Sequence, residues 1–164
     1  MSITVTKTNK LVRTVIIDVV LLAAICIIPA MSHILSFPIY KLNPMLLFLL
    51  LGTALVSDRR NAYLLAVALP LVSMAVSGMP TPAKAACMVP ELVAVVALYQ
   101  LLSRRMPVAV AMFVSIIAGK LVFYALMAVV VAPEHLIGTA IWLQLAVALI
   151  YAAFFATTVR LKNR

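Results

Sequence analysis

The sequence predicts an all-α integral membrane protein with six transmembrane helices and both termini in the cytoplasm. Three observations predict this fold class: the composition, the spacing of the apolar segments and the placement of the basic residues. Of the 164 residues, 66% are hydrophobic and 10% are charged, and the mean hydropathy is +1.23. Because a soluble domain has about 45–50% apolar and about 25% charged residues, the composition excludes a soluble globular fold and a disordered chain.

The apolar segments predict a single membrane domain over residues 1–164. A membrane helix needs about 20 apolar residues, and breaks rich in proline, glycine and polar residues separate the apolar segments. The sequence places the helices at about 12–31, 44–56, 62–77, 85–103, 107–131 and 136–159.

The first two helices differ in length. The first follows Lys7, Lys10 and Arg13, and a secretory signal peptide has the same basic flank. We interpret it as a retained helix, because the apolar segment is long for a signal peptide and no Ala-x-Ala site follows. The second starts at Pro44, which suits a first helical turn. At about 13 residues it is short for a span, so it must be irregular, tilted or shielded by neighbouring protein.

Prolines shape the third and fourth helices. Pro70 predicts a kink in the third helix. The segment 78–84 contains Pro80 and Pro82, and this spacing predicts a loop that is not regular helix. Pro90 interrupts the fourth helix early.

The basic residues delimit the remaining helices and orient the bundle. The fifth helix follows the turn 104–107, and the sixth follows Pro133 and ends before Arg160. Ten basic residues fall on inner flanks if the N-terminus is inside: Lys7, Lys10, Arg13, Arg59, Arg60, Arg104, Arg105, Arg160, Lys162 and Arg164. Only Lys41 and Lys84 fall in outer loops. The positive-inside rule therefore places both termini in the cytoplasm.

The net charge of +9 is thus explained by topology, and we expect no nucleic-acid partner, because basic residues interleaved with aromatic ones on an exposed face are lacking. Cys26 and Cys87 are isolated in apolar segments, which is typical of small core residues rather than metal ligands. The sequence contains no Walker P-loop and no hydrolase or metalloprotease motif. We therefore predict no enzyme, no metal and no cofactor.

Three ionisable residues lie within the predicted helices, where charge is costly and usually faces protein or water. Glu91 lies about two turns into the fourth helix, and Lys120 lies near the middle of the fifth. Their depths differ by a few ångströms at about 1.5 Å per residue, which a lysine stem can cover. The pair either fixes helix packing or lines a polar site open to the outer face. The two interpretations are compatible if a ligand binds to the ion pair. Asp18 lies nearer the inner surface, where we expect an arginine partner.

The outer loops are rich in irregular polar sequence, which membrane proteins tolerate only where it lines protein or a cavity. We predict a binding site for a small molecule there. Its candidate residues are Glu91, Lys120, Lys84, His33, Tyr40, Asn43, Met79 and His135.

Stripes of small residues occupy the last two helices. They are Ala111, Ser115 and Gly119 on the fifth helix, and Ala148, Ala152 and Ala156 on the sixth. Such spacing lets helix backbones approach closely. The stripes serve either packing within the bundle or docking of a partner protein.

Two segments carry a resemblance to a known family. These are SGMPTPAKAACMVPEL at 77–92, and NPMLLFLLLG at 43–52 followed by Ser57 and Asp58. Together with six short helices and cytoplasmic termini, they resemble the substrate-binding S components of energy-coupling factor (ECF) vitamin transporters. The resemblance in motifs covers about residues 38–99.

The resemblance implies a multi-pass protein of the bacterial cytoplasmic (inner) membrane that binds a vitamin or related micronutrient near the outer face. It also implies a separate transmembrane coupling protein and two cytosolic ATPases as partners. Many S components dock through an Ala-x-x-x-Ala pair on the first helix, which this chain lacks. The alternative function is a non-transport scaffold of cell-envelope assembly, similar to the rod-shape determinant family, in which the basic turns and small-residue stripes bind partners.

Overall fold

The computed structural model describes residues 2–36, 39–56, 58–130 and 141–162, with side chains from residue 9 onward except those of residues 40 and 41. Over these residues the chain forms α-helices and one 3₁₀ turn, without β-strands. The α-helices are α1 (Ser2–Ile34), α2 (Pro44–Val56), α3 (Arg59–Ser77), α4 (Pro82–Leu102), α5 (Val108–Val130) and α6 (Ile141–Lys162). The 3₁₀ turn covers Ile39–Leu42, just before α2.

All the described α-helices except α2 are long and apolar enough to cross a membrane. The architecture is therefore that of a helical membrane protein with several membrane-length helices. The short α2 has 13 residues, and Leu46, Leu49 and Leu50 on it are almost fully buried by neighbouring helices.

Three helices begin earlier than the sequence predicts, and one of them is α3, which starts at Arg59 rather than near residue 62. Helix α1 starts at Ser2 rather than near residue 12, so the basic residues before the apolar segment continue the helix. Helix α4 starts at Pro82, so the predicted loop 78–84 is wrong in its last residues. Proline is well placed at the first position of a helix, because that position needs no N–H donor and the fixed φ is helical.

Helix α3 has defined caps at both ends. Asp58 precedes it, and its Oδ1 accepts a hydrogen bond of 2.9 Å from the backbone N–H of Arg60. At the other end Gly78 adopts φ +70° and donates its N–H to the carbonyl of Met74. Glycine suits this left-handed position because it has no Cβ. The caps fix where the chain leaves α3 and approaches α4.

All the described α-helices contribute buried residues to the hydrophobic core, and α4 packs most extensively on α5. Leu65, Leu69 and Leu92 are almost fully buried there, and Tyr99 packs edge-on against Phe155 of α6 with ring centroids 5.1 Å apart. The small-residue stripes of α5 and α6 are also buried within this single chain. Their small size therefore serves packing between helices of the bundle.

The bundle has two distinct ends. We term the "cavity end" the one formed by the end of α1, the 3₁₀ turn, the start of α2 and the α3–α4 connection. We term the "basic end" the opposite one, where the exposed Arg59, Arg60, Arg104 and Arg105 lie. Both ends carry polar groups, but those of the cavity end and those of the basic end differ in their surroundings.

Candidate ligand-binding cavity

A cavity of about 690 Å³ lies at the cavity end, lined by residues from all the described α-helices. This volume is within the range of small-molecule sites, which is about 300–1,000 Å³. Met79 and Lys84 are exposed and border its opening, which we term the mouth. Glu91 is only 1% exposed and forms the opposite wall, which we term the floor. Most of the lining side chains are apolar.

A buried ion pair crosses the floor. The Nζ of Lys120 on α5 lies 2.6 Å from the Oε1 of Glu91 on α4. The same Nζ lies 5.2 Å from the centroid of the Phe123 ring, so an aromatic face also contacts the charge. Glu91 is buried and the Lys120 side chain is 22% exposed, so water screens the pair only in part, and the buried carboxylate depends on the lysine for its charge.

Asn43 adds a third polar group to the floor. Its Nδ2 donates to Glu91 Oε1 over 3.4 Å, a long hydrogen bond. Asn43 lies between the 3₁₀ turn and α2 with φ +52°, and asparagine adopts this left-handed conformation more readily than most residues. Its carbonyl accepts the first backbone hydrogen bonds of α2, from Leu46 and Leu47. The start of α2 therefore holds the carboxamide beside Glu91.

Two acceptors on the floor are left over. Glu91 Oε2 and Asn43 Oδ1 are buried and have no hydrogen-bond partner in the described part of the chain. A buried polar atom without a partner costs about 1–3 kcal/mol, and more when it is charged. Both residues line the cavity, and because the two atoms themselves are buried, a side-chain rotation would bring them into contact with a molecule in the cavity.

Gly119 brings α5 close to α4 beside the ion pair. A Cβ at this position would lie 3.1 Å from the backbone oxygen of Glu91 and would press on the Val95 side chain. Only glycine permits this approach. The next residue along α5 is Lys120, so the close contact sets the distance across which its ammonium meets Glu91.

Hydroxyl groups hold the connection at the mouth. Ser73 Oγ donates to the carbonyl of Met79 over 2.7 Å, and Ser77 Oγ donates to the carbonyl of Ser73 over 2.6 Å. The first bond ties the segment after α3 to the helix itself, and the second lies within the last turn of α3. The residues bordering the mouth are therefore positioned by α3.

The structure brings most of the predicted site residues to one cavity. Its lining includes Glu91, Lys120, Lys84, His33, Asn43 and Met79. The side chain of Tyr40 and the whole of His135 lie outside the described residues. The arrangement leaves open both interpretations of the ion pair, because it joins two helices and also lines the cavity.

Sequence reasoning missed an aromatic and amide contribution to the lining. Phe123, Tyr124 and Gln144 line the cavity, and the Tyr124 hydroxyl donates to Gln144 Oε1 over 2.6 Å. The spacing could have indicated the first two, because residues three and four positions after Lys120 share its helix face. No feature of the sequence near Gln144 predicted that it lines the cavity.

A second carboxylate–carboxamide pair lies toward the basic end. The Nδ2 of Asn61 on α3 donates to Oδ1 of Asp18 on α1 over 2.9 Å. The expectation of an arginine partner for Asp18 is therefore wrong, because Asn61 is buried against α1 and reaches the carboxylate first. Nearby, Lys162 Nζ donates to the carbonyls of Ala54 and Leu55 at the end of α2.

Among the described residues, no group of three or more histidine, cysteine, aspartate or glutamate side chains could hold a metal ion. The chain matches no family model, no curated protein and no solved structure. The geometry of the cavity therefore provides the main argument about function.

Proposed function

We propose that this chain is the membrane-embedded substrate-binding subunit, or S component, of an ECF-type importer. It would bind a vitamin or related small water-soluble micronutrient from the outer face of a bacterial cytoplasmic membrane. The observation that carries the proposal is the floor of the cavity. There, a buried carboxylate pairs with a lysine through one oxygen and keeps the other unpartnered.

A purely structural ion pair accounts for this floor less well. In such a pair the remaining lone pairs gain by being satisfied with further hydrogen bonds within the protein. Here one oxygen of Glu91 and one of Asn43 are left over beside a cavity of about 690 Å³. A bound solute would use both, and the pair would then hold the helices and contact the ligand together.

In such an importer, separate subunits bind the substrate and hydrolyse ATP, and the sequence of this chain agrees with a subunit that only binds. The sequence has no P-loop, so energy for uptake would come from a transmembrane coupling protein and two cytosolic ATPases. The burial of the small-residue stripes removes one of the two partner-binding features of the envelope scaffold, whereas the other, the basic turns, stays exposed.

Extraction of the protein with its solute tests the proposal. The full chain is purified in mild detergent from membranes of cells grown in rich medium, and released small molecules are identified by mass spectrometry. We expect a stoichiometric, water-soluble compound in the wild type and loss of that compound in Glu91→Gln. Asp18→Asn, which changes the other carboxylate, is the matched control and should retain it.

A second measurement tests the partners. Affinity purification of the tagged chain should yield an integral membrane protein and two ATPases in fixed ratio. Reproducible absence of any solute, together with recovery of envelope-assembly proteins, would contradict the importer and support the scaffold.

A further inference from the structure

We propose that the ligand of this cavity is a flat, elongated molecule with an uncharged O–H or N–H donor at one end and an acid group at the other. The donor end would contact Glu91 and Asn43 at the floor, and the acid end would contact Lys84 at the mouth. This inference rests on the proposed function, because it requires that the cavity binds a solute.

The unpartnered atoms define the donor end. Glu91 Oε1 is occupied by Lys120 and by Asn43 Nδ2, so only Oε2 is available. Because the Asn43 nitrogen faces the carboxylate, its oxygen is the atom left over. Both free atoms are acceptors, and an acceptor group on the ligand would face them without a hydrogen bond. The floor therefore selects a donor.

The charges that line the cavity select against a cation. In the described part of the lining, Lys84 and Lys120 contribute two positive charges and Glu91 one negative charge, so the sum is one positive charge. Protonation of His33 would only add to it. A ligand ammonium on Glu91 would compete with Lys120 and experience this excess. An uncharged donor neither competes with Lys120 for Glu91 nor is repelled by the excess positive charge.

The spacing along α4 places the acid group. Lys84 and Glu91 are seven residues apart, which is close to two helical turns, so they share a face and differ by about 10 Å along the axis. Lys84 is exposed and Glu91 is buried, so the positive charge lies at the mouth and the acceptors at the floor. Since the lysine stem is flexible, a ligand about as long as a substituted aromatic ring can contact both.

The apolar lining favours a flat ring between the two ends. Four methionines line the cavity, Met45, Met79, Met88 and Met127, together with Phe123. Methionine sulfur contacts aromatic rings favourably, and its flexible chain adapts to the ligand shape. An aromatic side chain adds an edge or face for a second ring. Sugars and linear peptides would bury their polar groups against this lining.

Four matched probes on one benzene ring test this chemistry. They are para-hydroxybenzoate, with donor and acid; para-methoxybenzoate, without the donor; para-hydroxybenzamide, without the acid; and para-hydroxybenzylamine, with a cation. Binding to the full chain in lipid nanodiscs is measured by ligand-observed NMR at millimolar concentration. We expect para-hydroxybenzoate to bind best, by about tenfold over the methoxy probe, which corresponds to about 1.4 kcal/mol, because the methoxy group cannot donate a hydrogen bond to Glu91 or Asn43.

Variants assign the contacts. Lys84→Met should remove the preference for para-hydroxybenzoate over the benzamide, and Glu91→Gln should reduce the preference over the methoxy probe. Arg105→Met, an exposed position at the basic end, should change neither preference. Lys84 is exposed, so its substitution should leave the fold intact.

Two results with the probes would overturn the inference: strongest binding of the benzylamine, or no binding of any probe. Neither decides the proposed function, because that depends on the co-purified solute and partners. A stoichiometric co-purified cation would contradict the ligand chemistry while supporting a solute-binding subunit.

Discussion

Each end of the bundle contains a carboxylate beside a carboxamide, but the two pairs differ in how many buried acceptors lack a hydrogen-bond partner. At the basic end, Asn61 donates to Asp18 over 2.9 Å, and neither residue has a buried side-chain atom without a partner in the described structure. At the cavity end, Asn43 donates to Glu91 over 3.4 Å, and each residue keeps one buried acceptor free. The first pair leaves no buried acceptor without a partner in the described residues, whereas the second leaves two.

This difference separates stability from binding. The hydrogen bond between Asn61 and Asp18 joins α3 to α1, and among the described residues it leaves no buried acceptor that would need a ligand. A carboxylate that keeps an acceptor free beside a cavity costs stability, and a bound solute recovers that cost. Substitutions at the basic end should therefore change stability alone, whereas those at the cavity end should change stability and solute binding together.

The largest effect should come from breaking the ion pair. Lys120→Met keeps the side-chain volume but leaves the buried Glu91 carboxylate without its cation, which should lower the free energy of unfolding by about 3–5 kcal/mol. Denaturant unfolding in detergent measures this loss. Adding Glu91→Gln to Lys120→Met should recover most of the stability without restoring solute binding. A Lys120→Met variant as stable as the wild type would contradict a charged pair.

The next largest effect should come from closing the gap between α4 and α5. Gly119→Ala places a methyl group against the Glu91 backbone and Val95, and such overpacking costs about 1–3 kcal/mol. Solute binding should weaken because the floor is displaced. The control is Gly52→Ala, where the added methyl presses on the Leu65 and Leu21 side chains, because none of these residues lines the cavity. Equal binding loss in both variants would contradict this account.

At the basic end, Asp18→Ala should remove the acceptor of a buried Asn61 and cost about 1–2 kcal/mol. Unlike the cavity variants, it should leave solute affinity unchanged, and Asp18→Asn should lose less stability because it keeps an acceptor. Parallel unfolding and binding measurements check this. Weakened solute binding in Asp18→Ala would remove the distinction between the ends.

The smallest effect should come from Lys162→Met. Lys162 donates to two carbonyls at the end of α2, where a cation interacts favourably with the helix dipole, worth about 0.3–1 kcal/mol. Because Lys162 is exposed, added salt should shrink the difference from the wild type. Lys162→Arg should retain most of the effect. A difference that grows with salt would contradict an electrostatic cap.

The sequence was sufficient to predict a helical membrane protein and a meeting of Glu91 with Lys120. Hydropathy and charge placement depend on the bilayer as solvent, so they are visible in composition. The opposite signs of two intramembrane residues at similar depth predicted their contact, because each charge needs the other there.

Other features depend on packing that the sequence does not specify locally. The partner of Asp18 was expected to be an arginine, but Asn61 reaches it from α3. The free oxygen of Glu91 follows from the direction in which Lys120 and Asn43 approach, and only three-dimensional geometry defines that direction. The start of α4 at Pro82 was missed because the two prolines suggested a longer loop than the helix allows.

The brevity of α2 has a consequence for the path of a solute. Its 13 residues rise about 20 Å at 1.5 Å per residue, whereas the hydrocarbon core of a bilayer is about 30 Å thick. About a third of the hydrophobic barrier beside α2 is thus replaced by the 3₁₀ turn and the cavity next to it. In the proposed importer, a molecule bound at Glu91 would therefore lie part of the way across the bilayer, and the movement that delivers it would cover a shorter distance.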